Sequence, residues 1–422
     1  MAQVKILHAA DLHVDSPLRG LPEYDGAPTE EVRQATRSTF TRLVDEAVER
    51  RVDLVVLAGD LYDGTWKDYN TGLFVVKEFA RLHDEGIPVA VAYGNHDAES
   101  KITTRLRLPP NVHVFGSAHA ESRAYDDIGV VAHGQSYATP RITEDLSSSY
   151  PPAVGGMVNV GVLHTCFDGT LGHAPYAPCT VDSLRSRGYD YWALGHVHKR
   201  RVVLEDPVVV FPGNLQGRHV GETGPKGATL VVFDDGEPST ELVVLDTVRW
   251  EECEVDATGS DLDGCLDRCR DSLAALATGE VDILAVRVSL TGVTDFDRTL
   301  RDNHAHLTNE VRALALDVGV AQVWVEKVVV ETEPHSDFRP WSGEGVAAEI
   351  GRVLADVREK LPELVESREG PFAAIAALRS KLRAAAPAES EELDEEELAK
   401  ALEDAASILA SRLVTEGSPD AN

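Results

Sequence analysis

The sequence predicts an α/β fold for the first part of the chain, followed by a smaller α/β domain and a helical C-terminal region. Apolar runs typical of β-strands alternate with amphipathic helical patterns over residues 1–245, and such alternation indicates an α/β domain. Near Val248 the pattern changes to strands separated by two helical stretches. We therefore predict three parts, which cover residues 1–245, 246–335 and 336–422.

Five apolar runs in the first part predict β-strands, because each is short and ends at glycine or polar residues. The runs are Val4–Leu7, Leu54–Leu57, Val89–Ala92, Val160–Leu163 and Tyr191–Leu194. Amphipathic helical stripes lie between some of them, at residues 40–48 and 73–82. Later runs at Val208–Phe211 and Thr229–Phe233 have no helix between them. They predict a second, more antiparallel sheet and hence a layered sandwich.

The second and third parts have their own patterns of secondary structure. The second carries strand-like runs at 248–250, 283–290 and 323–330, separated by helical stretches at 261–277 and 296–316. A segment rich in Pro, Ser and Gly then predicts a linker. Beyond it, an amphipathic pattern predicts a helix whose apolar face is formed by Val346, Ile350, Val353, Leu354 and Val357.

Composition narrows the class of protein. The chain has 422 residues, no apolar run long enough to span a bilayer and an odd number of cysteines, five. The first strand begins at Val4, so we expect no signal peptide, no membrane partner and a cytoplasmic location. The net charge of −31 argues against broad, non-specific DNA binding. It does not exclude phosphate chemistry, because bound divalent ions reverse the local sign of charge.

Polar motifs follow all five predicted strands of the first part. Carboxyl ends of strands in an α/β sheet face one ligand crevice, so these motifs are expected to converge. Their candidate metal ligands are Asp11, His13, Asp60, Asn95, His164, His196 and His198. Asp60 is the natural carboxylate bridge between two ions. Carboxylate, amide and imidazole ligands without thiolate suit Mn, Fe or Zn better than Mg or Ca.

The two residues that follow Asn95 are expected to have catalytic roles and not to bind metal. His96 follows a ligand and cannot easily share its metal, so it is expected to touch the phosphate or the leaving group. Asp97 is expected to hold the tautomer of the His96 imidazole, as carboxylates do for other histidines. Asp-x-His or Gly-Asp alone is a weak signal, whereas Gly-Asn-His-Asp after a buried strand is rarely structural.

These motifs closely resemble the calcineurin-like metallophosphoesterase superfamily. Residues 8–18 and 211–219 (HAADLHVDSPL and FPGNLQGRH) narrow the resemblance to the YhaO-like branch of the SbcD-type DNA repair nucleases. It implies a four-layer sandwich of two sheets flanked by helices, with a capping domain and a helical tail. It also implies two divalent ions, Mn²⁺ by preference, one bound by Asp11, His13, Asp60 and His198, the other by Asp60, Asn95, His164 and His196. His96 would stabilise the transition state.

The resemblance further implies DNA as the substrate and an SMC-like ATPase of the SbcC type as a partner of the C-terminal helices, with a homodimer possible. Some relatives carry a histidine at Asp63, so this position is expected to help place the scissile strand. We also expect Arg218 or His219 to contact substrate phosphate, the alternative for Arg218 being a loop-stabilising role.

Three functional hypotheses remain open at this stage. The first is a Mn-dependent DNA nuclease, expected to be an exonuclease, and the second is a small-molecule phosphodiesterase or nucleotidase with the same metal core. The capping domain and helical tail favour the first, because a small-substrate enzyme needs neither. The third, a scaffold without activity, is disfavoured because all seven ligand positions are present.

Overall fold

The computed structural model describes residues 3–16, 27–63, 69–99, 106–167, 177–319 and 322–334, together with the single positions 352, 353 and 356. The predicted helical region 336–422 lies outside the described residues apart from those three positions, so it stays a prediction. Among the described helices, none is both long and apolar enough to cross a membrane.

The described part of the chain alternates strands and helices. Its strands are β1 (Val4–Ala9), β2 (Leu54–Ala58), β3 (Val89–Ala92), β4 (Val112–Val114), β5 (Glu121–Tyr125), β6 (Val130–Gly134), β7 (Val158–His164), β8 (Tyr191–Gly195), β9 (Arg201–Glu205), β10 (Val208–Phe211), β11 (Gly227–Asp234), β12 (Glu237–Val244), β13 (Val248–Asp256), β14 (Ile283–Thr291) and β15 (Gln322–Val330). Its helices are α1 (Thr29–Glu49), α2 (Tyr69–Asp84), α3 (Asn95–Glu99), α4 (Val181–Arg185), α5 (Leu262–Leu276), α6 (Asp297–Asp302) and α7 (His304–Ala315).

Three sheets organise these strands, with the orders β12-β11-β1-β2-β3-β4, β5-β6-β7-β8-β10-β9 and β13-β14-β15. In the first sheet β1 to β4 are parallel, and β11 and β12 form an antiparallel edge. In the second sheet β6, β7, β8 and β10 are parallel, and only the edge strands β5 and β9 are antiparallel.

The predicted antiparallel second sheet is therefore wrong in one respect. Strand β10 pairs in parallel with β8, whereas β11 returns to the first sheet and pairs with β1, where Ile6 lies opposite Val231. The local pattern of both strands is apolar, and nothing in it specifies a partner. Strand pairing is decided by contacts between distant segments, so the pattern located these strands without assigning them to a sheet.

Two faces of each large sheet are covered, which explains why β2, β3, β7 and β8 are buried throughout. The inner faces form one cluster that includes Ile6, Val56, Val160 and Ala193. Helices α1 and α2 cover the outer face of the first sheet. Leu184 of α4 packs on the outer face of the second sheet. This order of layers confirms the predicted four-layer sandwich of two sheets flanked by helices.

The third sheet packs against the start of α1. Trp250 and Trp324 form a buried cluster with Val32 and Ala35 of that helix, and the two indole rings lie 5.6 Å apart. By contacts, one compact unit comprises residues 1–256, 263–290 and 305–331. Most of the third sheet thus falls in the same unit as the first two. The predicted boundaries at 245 and 335 are not tested by this division and stay predictions.

The other compact unit comprises residues 257–262, 291–304 and 332–422. In its described part, Asp297 at the start of α6 accepts hydrogen bonds from the hydroxyl of Thr332 at 2.7 Å and from the Nε of Arg301 at 3.0 Å. The bond from Thr332, and a further one from Arg301 to the Thr332 carbonyl oxygen at 2.7 Å, join α6 to the segment that follows β15.

We predict that Gly161→Ala destabilises the sandwich. A Cβ at this position in β7 would lie 2.3 Å from Cε3 of the fully buried Trp192, which has no space to move. Overpacking of this kind costs about 1–3 kcal/mol, so the thermal midpoint measured by circular dichroism should fall by several degrees. The control is Gly155→Ala, whose Cβ would meet no heavy atom within 4 Å. Equal midpoints for the two variants would contradict the prediction.

Candidate metal centre

The polar motifs converge at the carboxyl ends of β1, β2, β3, β7 and β8, as the sequence predicts. Three overlapping groups of side chains place their ligand atoms within 4.8 Å of one another. The groups are Asp11, His13 and His198; His13, Asp60 and His96; and Asp11, Asp60 and His164. Asp60 belongs to two groups that share no other residue, which fits the predicted bridging position.

The backbone of the site is held in an uncommon conformation. Asp11, His13, Asp60 and His196 have positive φ angles of 51°, 43°, 51° and 103°. Non-glycine residues in this region cost roughly 1–3 kcal/mol each and cluster at functional sites. Hydrogen bonds between the ends of β1 and β2 oppose this strain, because the Asp11 N–H donates to the Gly59 carbonyl and the His13 N–H to the Asp60 carbonyl, each at 3.0 Å.

The two sheets approach each other closely at this edge. A Cβ on Gly195, at the end of β8, would lie 1.8 Å from the carbonyl oxygen of Ala58 at the end of β2. A Cβ on Gly59 would lie 2.2 Å from Nδ1 of His164. The motif glycines therefore provide the space in which ligands from the two sheets meet.

One half of the centre is built around His164. Its Nε2 lies 2.9 Å from Oδ1 of Asn95 and 3.3 Å from Oδ2 of Asp60. Its Nδ1 lies 3.0 Å from the carbonyl oxygen of Ala58, and an Nδ1–H donor there leaves the Nε2 lone pair toward the other ligands. The ring of His196 packs edge-on against that of His164, with 5.1 Å between centroids.

The other half combines Asp11, His13 and His198. The Nε2 atoms of His13 and His198 lie 3.3 Å apart, and Nε2 of His198 lies 3.8 Å from Oδ1 of Asp11. Nε2 of His13 is also 3.9 Å from Oδ2 of Asp60. Two imidazole nitrogens and two carboxylates around one small volume form a donor set that suits a divalent transition metal.

The electrostatics of the centre also fit bound cations. Burial raises the pKa of Asp11, and the charge of Asp60 adds to this effect. Burial likewise raises the pKa of Asp60, but the contact with His164 outweighs it and holds the pKa well below its usual range. Burial lowers the pKa of His13 to about 3, so this imidazole is neutral, the form that binds metal. Divalent ions would compensate the two buried carboxylates.

His96 stands at the exposed side of the centre. Its side chain is 38% exposed, whereas those of His13 and Asp60 are almost fully buried. Its backbone N–H donates to Oδ1 of Asp60 at 2.9 Å, and its Nδ1 lies 3.1 Å from Oδ1 of Asp63. Asp63 also lies 3.4 Å from Nδ1 of His13. The carboxylate that orients the His96 ring is therefore Asp63.

The predicted contact between Asp97 and the His96 imidazole is wrong. The buried Asp97 carboxylate accepts backbone N–H groups from Leu61, Tyr62 and Gly94, at 3.2, 2.9 and 2.9 Å. It ties the turn after β2 to the turn after β3. Both residues lie in α3, where successive side chains diverge by about 100°, so neighbours in sequence point to different surroundings.

Glu222 is a residue that the sequence did not single out. Its Oε1 lies 2.7 Å from Nδ1 of His198 and accepts from the guanidinium of Arg218 at 3.1 Å. Its Oε2 accepts from Nδ2 of Asn214 at 2.9 Å. Burial raises the pKa of Glu222, but the contacts with His198 and Arg218 together outweigh it and hold the pKa below its usual range, so the group is ionised. In the sequence, only its position four residues after Arg218 marks this acidic residue, and that spacing is weak evidence for a role in the metal centre.

The predicted substrate contacts occupy different surroundings. Arg218 is paired with Glu222 and lies 3.3 Å from Nδ1 of His198, so it has the loop-stabilising contact that was the alternative to phosphate binding. His219 is 64% exposed and lies at the margin of the centre. Substrate contact by Asp63, Arg218 and His219 stays a prediction.

Comparison with known proteins identifies the family. Residues 4–200 match the calcineurin-like phosphoesterase family, and residues 250–333 match the middle domain of the metallophosphoesterase YhaO. The chain thus carries a calcineurin-like phosphoesterase domain and is similar to YhaO-like metallophosphoesterases. Members of the family are hydrolases that use a pair of divalent metal ions, and the converging ligands described above fit such a pair.

Relatives of this metallophosphoesterase include proteins named for DNA repair. The uncharacterized metallophosphoesterase YhaO of Bacillus subtilis is 38% identical over 262 residues, which cover 61% of this chain and 64% of that protein. The DNA double-strand break repair protein Mre11 of Methanopyrus kandleri is 26% identical over 285 residues, covering 59% of this chain and 61% of that protein. The matches span less than two thirds of the length of each relative.

We predict that Asp60→Ala in this metallophosphoesterase abolishes hydrolysis and lowers the metal content to one ion or none. Its carboxylate contacts His13 and His164, on opposite halves of the centre. Elemental analysis after metal loading measures the content, with Asp84→Ala at an exposed position of α2 as the control. Two full equivalents of metal in Asp60→Ala would exclude the bridging role.

We predict that His96→Ala keeps both metals but loses about 10²–10⁴-fold in turnover, the typical loss when a general acid is removed. The ring is exposed and contacts Asp63, while its backbone alone contacts Asp60. Turnover of a chromogenic phosphodiester and metal content are measured on the same sample. Turnover near that of the unchanged protein would refute the catalytic role, and loss of metal would make His96 a ligand.

We predict that Glu222→Gln weakens metal binding by about 10–100-fold, because carboxylates behind ligand histidines commonly have this effect. The amide removes the negative charge that faces Nδ1 of His198 but keeps the shape of the side chain. Competition with a fluorescent chelator measures the dissociation constant. Glu205→Gln, at an exposed position in β9, is the matched control. Identical affinities for both variants would show that Glu222 does not support His198.

Proposed function

We propose that this metallophosphoesterase is a Mn²⁺-dependent DNA exonuclease that acts in DNA repair together with an SMC-like ATPase of the SbcC type. The observation that carries the proposal is the metal centre with an exposed His96 in a chain related to Mre11 proteins over more than half of its length. The middle domain at 250–333 adds support, because it supplies a further surface for a large substrate.

The chemistry follows from the arrangement of side chains. Two divalent ions, when bound, would stabilise charge on the attacking and leaving oxygens of a phosphodiester. Asp11, His13, Asp60 and His198 would hold one ion, and Asp60, Asn95, His164 and His196 the other. His96 is placed on the exposed side, where its imidazole donates a proton to the leaving oxygen. Asp63 holds the His96 ring through Nδ1, which leaves Nε2 toward the substrate.

A small-molecule phosphodiesterase or nucleotidase with the same centre is the second candidate. The net charge of −31 favours it, since most of the surface repels a nucleic acid. The similarity to Mre11 proteins and the additional domain favour the nuclease. We rank the nuclease first for these two reasons.

Hydrolysis assays on the full chain distinguish the candidates. The substrates are linear duplex DNA, closed circular duplex DNA, a chromogenic phosphodiester and a nucleoside monophosphate, each tested with Mn²⁺, Mg²⁺, Zn²⁺ and excess chelator. The exonuclease proposal expects cleavage of linear but not circular DNA, highest activity with Mn²⁺ and none with chelator or with Asp60→Ala. Cleavage of the small substrates without any cleavage of DNA would favour the second candidate.

The proposed partner contact involves residues outside the described part of the chain. We predict that replacing two positions of the apolar face, Ile350→Glu and Val357→Glu, abolishes co-purification with the SbcC-type ATPase of the source organism. An amphipathic helix commonly binds a partner through such a face. The control, Ala348→Glu with Ala355→Glu, places the same charges on the opposite face. Both variants should keep full activity on the chromogenic phosphodiester.

Undiminished co-purification of the Ile350→Glu, Val357→Glu variant would show that the ATPase binds to another surface. Measurement of molecular size on the same samples tests whether the protein forms a homodimer.

A further inference from the structure

Three consecutive cations follow the metal-ligand candidate His198, and we call Lys199–Arg201 the basic segment. Lys199 and Arg201 are exposed, and Arg200 is partly buried. The chain as a whole has 71 acidic and 40 basic side chains. A run of three cations beside the metal centre is therefore a local reversal of the overall charge.

Carboxylate partners are common for other cations of this chain but not for the basic segment. Arginines that form ion pairs include Arg37, Arg50, Arg81, Arg249, Arg287 and Arg301. Within the part of the chain that the structure describes, no carboxylate oxygen lies within 4.0 Å of a side-chain nitrogen in the basic segment. The Nε of Arg200 is also buried with no hydrogen-bond acceptor among those residues.

The loop that carries the basic segment is held firmly against the metal centre. The carbonyl oxygen of His198 accepts from the backbone N–H of Asn214 and from Nζ of Lys226, each at 3.2 Å. A Cβ on Gly213 would lie 2.9 Å from the backbone nitrogen of Arg200. Arg201 begins β9, the edge strand of the second sheet. The cations are thus presented at a sheet edge that starts beside a metal ligand.

Lys226 supports the same loop. Its side chain is buried, and its Nζ is used in the hydrogen bond to the His198 carbonyl oxygen. Glu222 is near, but His198, Asn214 and Arg218 already use its two oxygens. Glu222 is therefore engaged by residues other than the basic segment.

We propose that the basic segment binds the phosphates that flank the scissile phosphate of a polynucleotide, so that the strand leaves the metal centre along the β9 edge. This inference rests on the proposed nuclease function and specifies its substrate path. Two residues of chain span at most about 7 Å, and successive nucleotides of one strand rise by about 3.4 Å. The segment can therefore reach the next phosphates, which cations bind without reading sequence.

The overall negative charge gives this path a direction. The net charge of −31 repels phosphates in general, whereas phosphates beside Lys199 and Arg201 are attracted. A small phosphodiester has no flanking phosphate and makes no use of the segment. The basic segment thus separates polymeric from small substrates at one metal centre.

The test compares two pairs of exposed cations in the full-length protein loaded with Mn²⁺. The first pair is Lys199→Gln with Arg201→Gln, and the matched control is Lys77→Gln with Arg123→Gln, on α2 and on the opposite edge strand β5. KM and kcat are measured on a long single-stranded oligonucleotide at several salt concentrations and on a chromogenic phosphodiester. A charge-retaining pair, Lys199→Arg with Arg201→Lys, tests rescue.

We expect the first pair to raise KM for the oligonucleotide roughly tenfold, because exposed charge pairs are individually weak but add. The dependence of log KM on log salt should become shallower by about 1.4, or 0.7 per lost phosphate contact. The first pair should leave activity on the small phosphodiester unchanged. The control pair and the charge-retaining pair should leave KM for the oligonucleotide and its salt dependence unchanged.

Several results would overturn the inference. Unchanged KM and salt dependence in the first pair would show that the basic segment does not contact the oligonucleotide. Equal effects in the control pair would show that the net charge of the protein, and not the basic segment, sets the affinity for the oligonucleotide. An equal loss of activity on the small phosphodiester would show that the basic segment supports the structure of the metal centre. If the unchanged protein cleaves the small phosphodiester but neither binds nor cleaves the oligonucleotide, the proposed nuclease function itself is wrong, and the inference with it.

Discussion

The contact between the carboxyl ends of β2 and β8 is the constraint on which the metal centre depends. The Ala58 carbonyl lies where a side chain at Gly195 would stand, and the same oxygen lies 3.0 Å from Nδ1 of His164. One backbone group of the first sheet thus orients a ligand from the second. Because interiors are close-packed, a small separation of the sheets would move His164 away from Asp60.

The close approach of the two sheets brings groups together in the centre that lower the free energy of unfolding. Two carboxylates, Asp11 and Asp60, are buried, and four residues of the centre, Asp11, His13, Asp60 and His196, have positive φ angles. Desolvated charges and strained backbone persist only where the surrounding structure holds them. The buried cores on both faces of each sheet provide that support. Bound cations would relieve the charge, so metal binding and stability are linked in this protein.

The third sheet is connected to the same centre through the loop between β10 and β11. The side-chain Oε1 of Gln216 accepts from the Thr247 N–H at 3.0 Å, and the Trp250 indole donates to the backbone carbonyl of Gly217 at 3.0 Å. Further along this loop, Glu222 contacts His198. The start of β13 therefore holds the loop that positions a candidate ligand, which gives the middle domain a structural link to the chemistry as well as a surface of its own.

The sequence by itself indicated the buried strands that precede the polar motifs and the residue types at their ends, because apolar runs and the polar residues that follow them are local features. It therefore named seven candidate ligands, whose metal binding stays a prediction. Only the tertiary structure decided which side chains meet: Asp63 rather than Asp97 beside His96, Glu222 behind His198, and β11 in the first sheet. These are contacts between segments distant in sequence. Local patterns carry chemistry and periodicity, whereas the choice of partner is set by how the sheets pack.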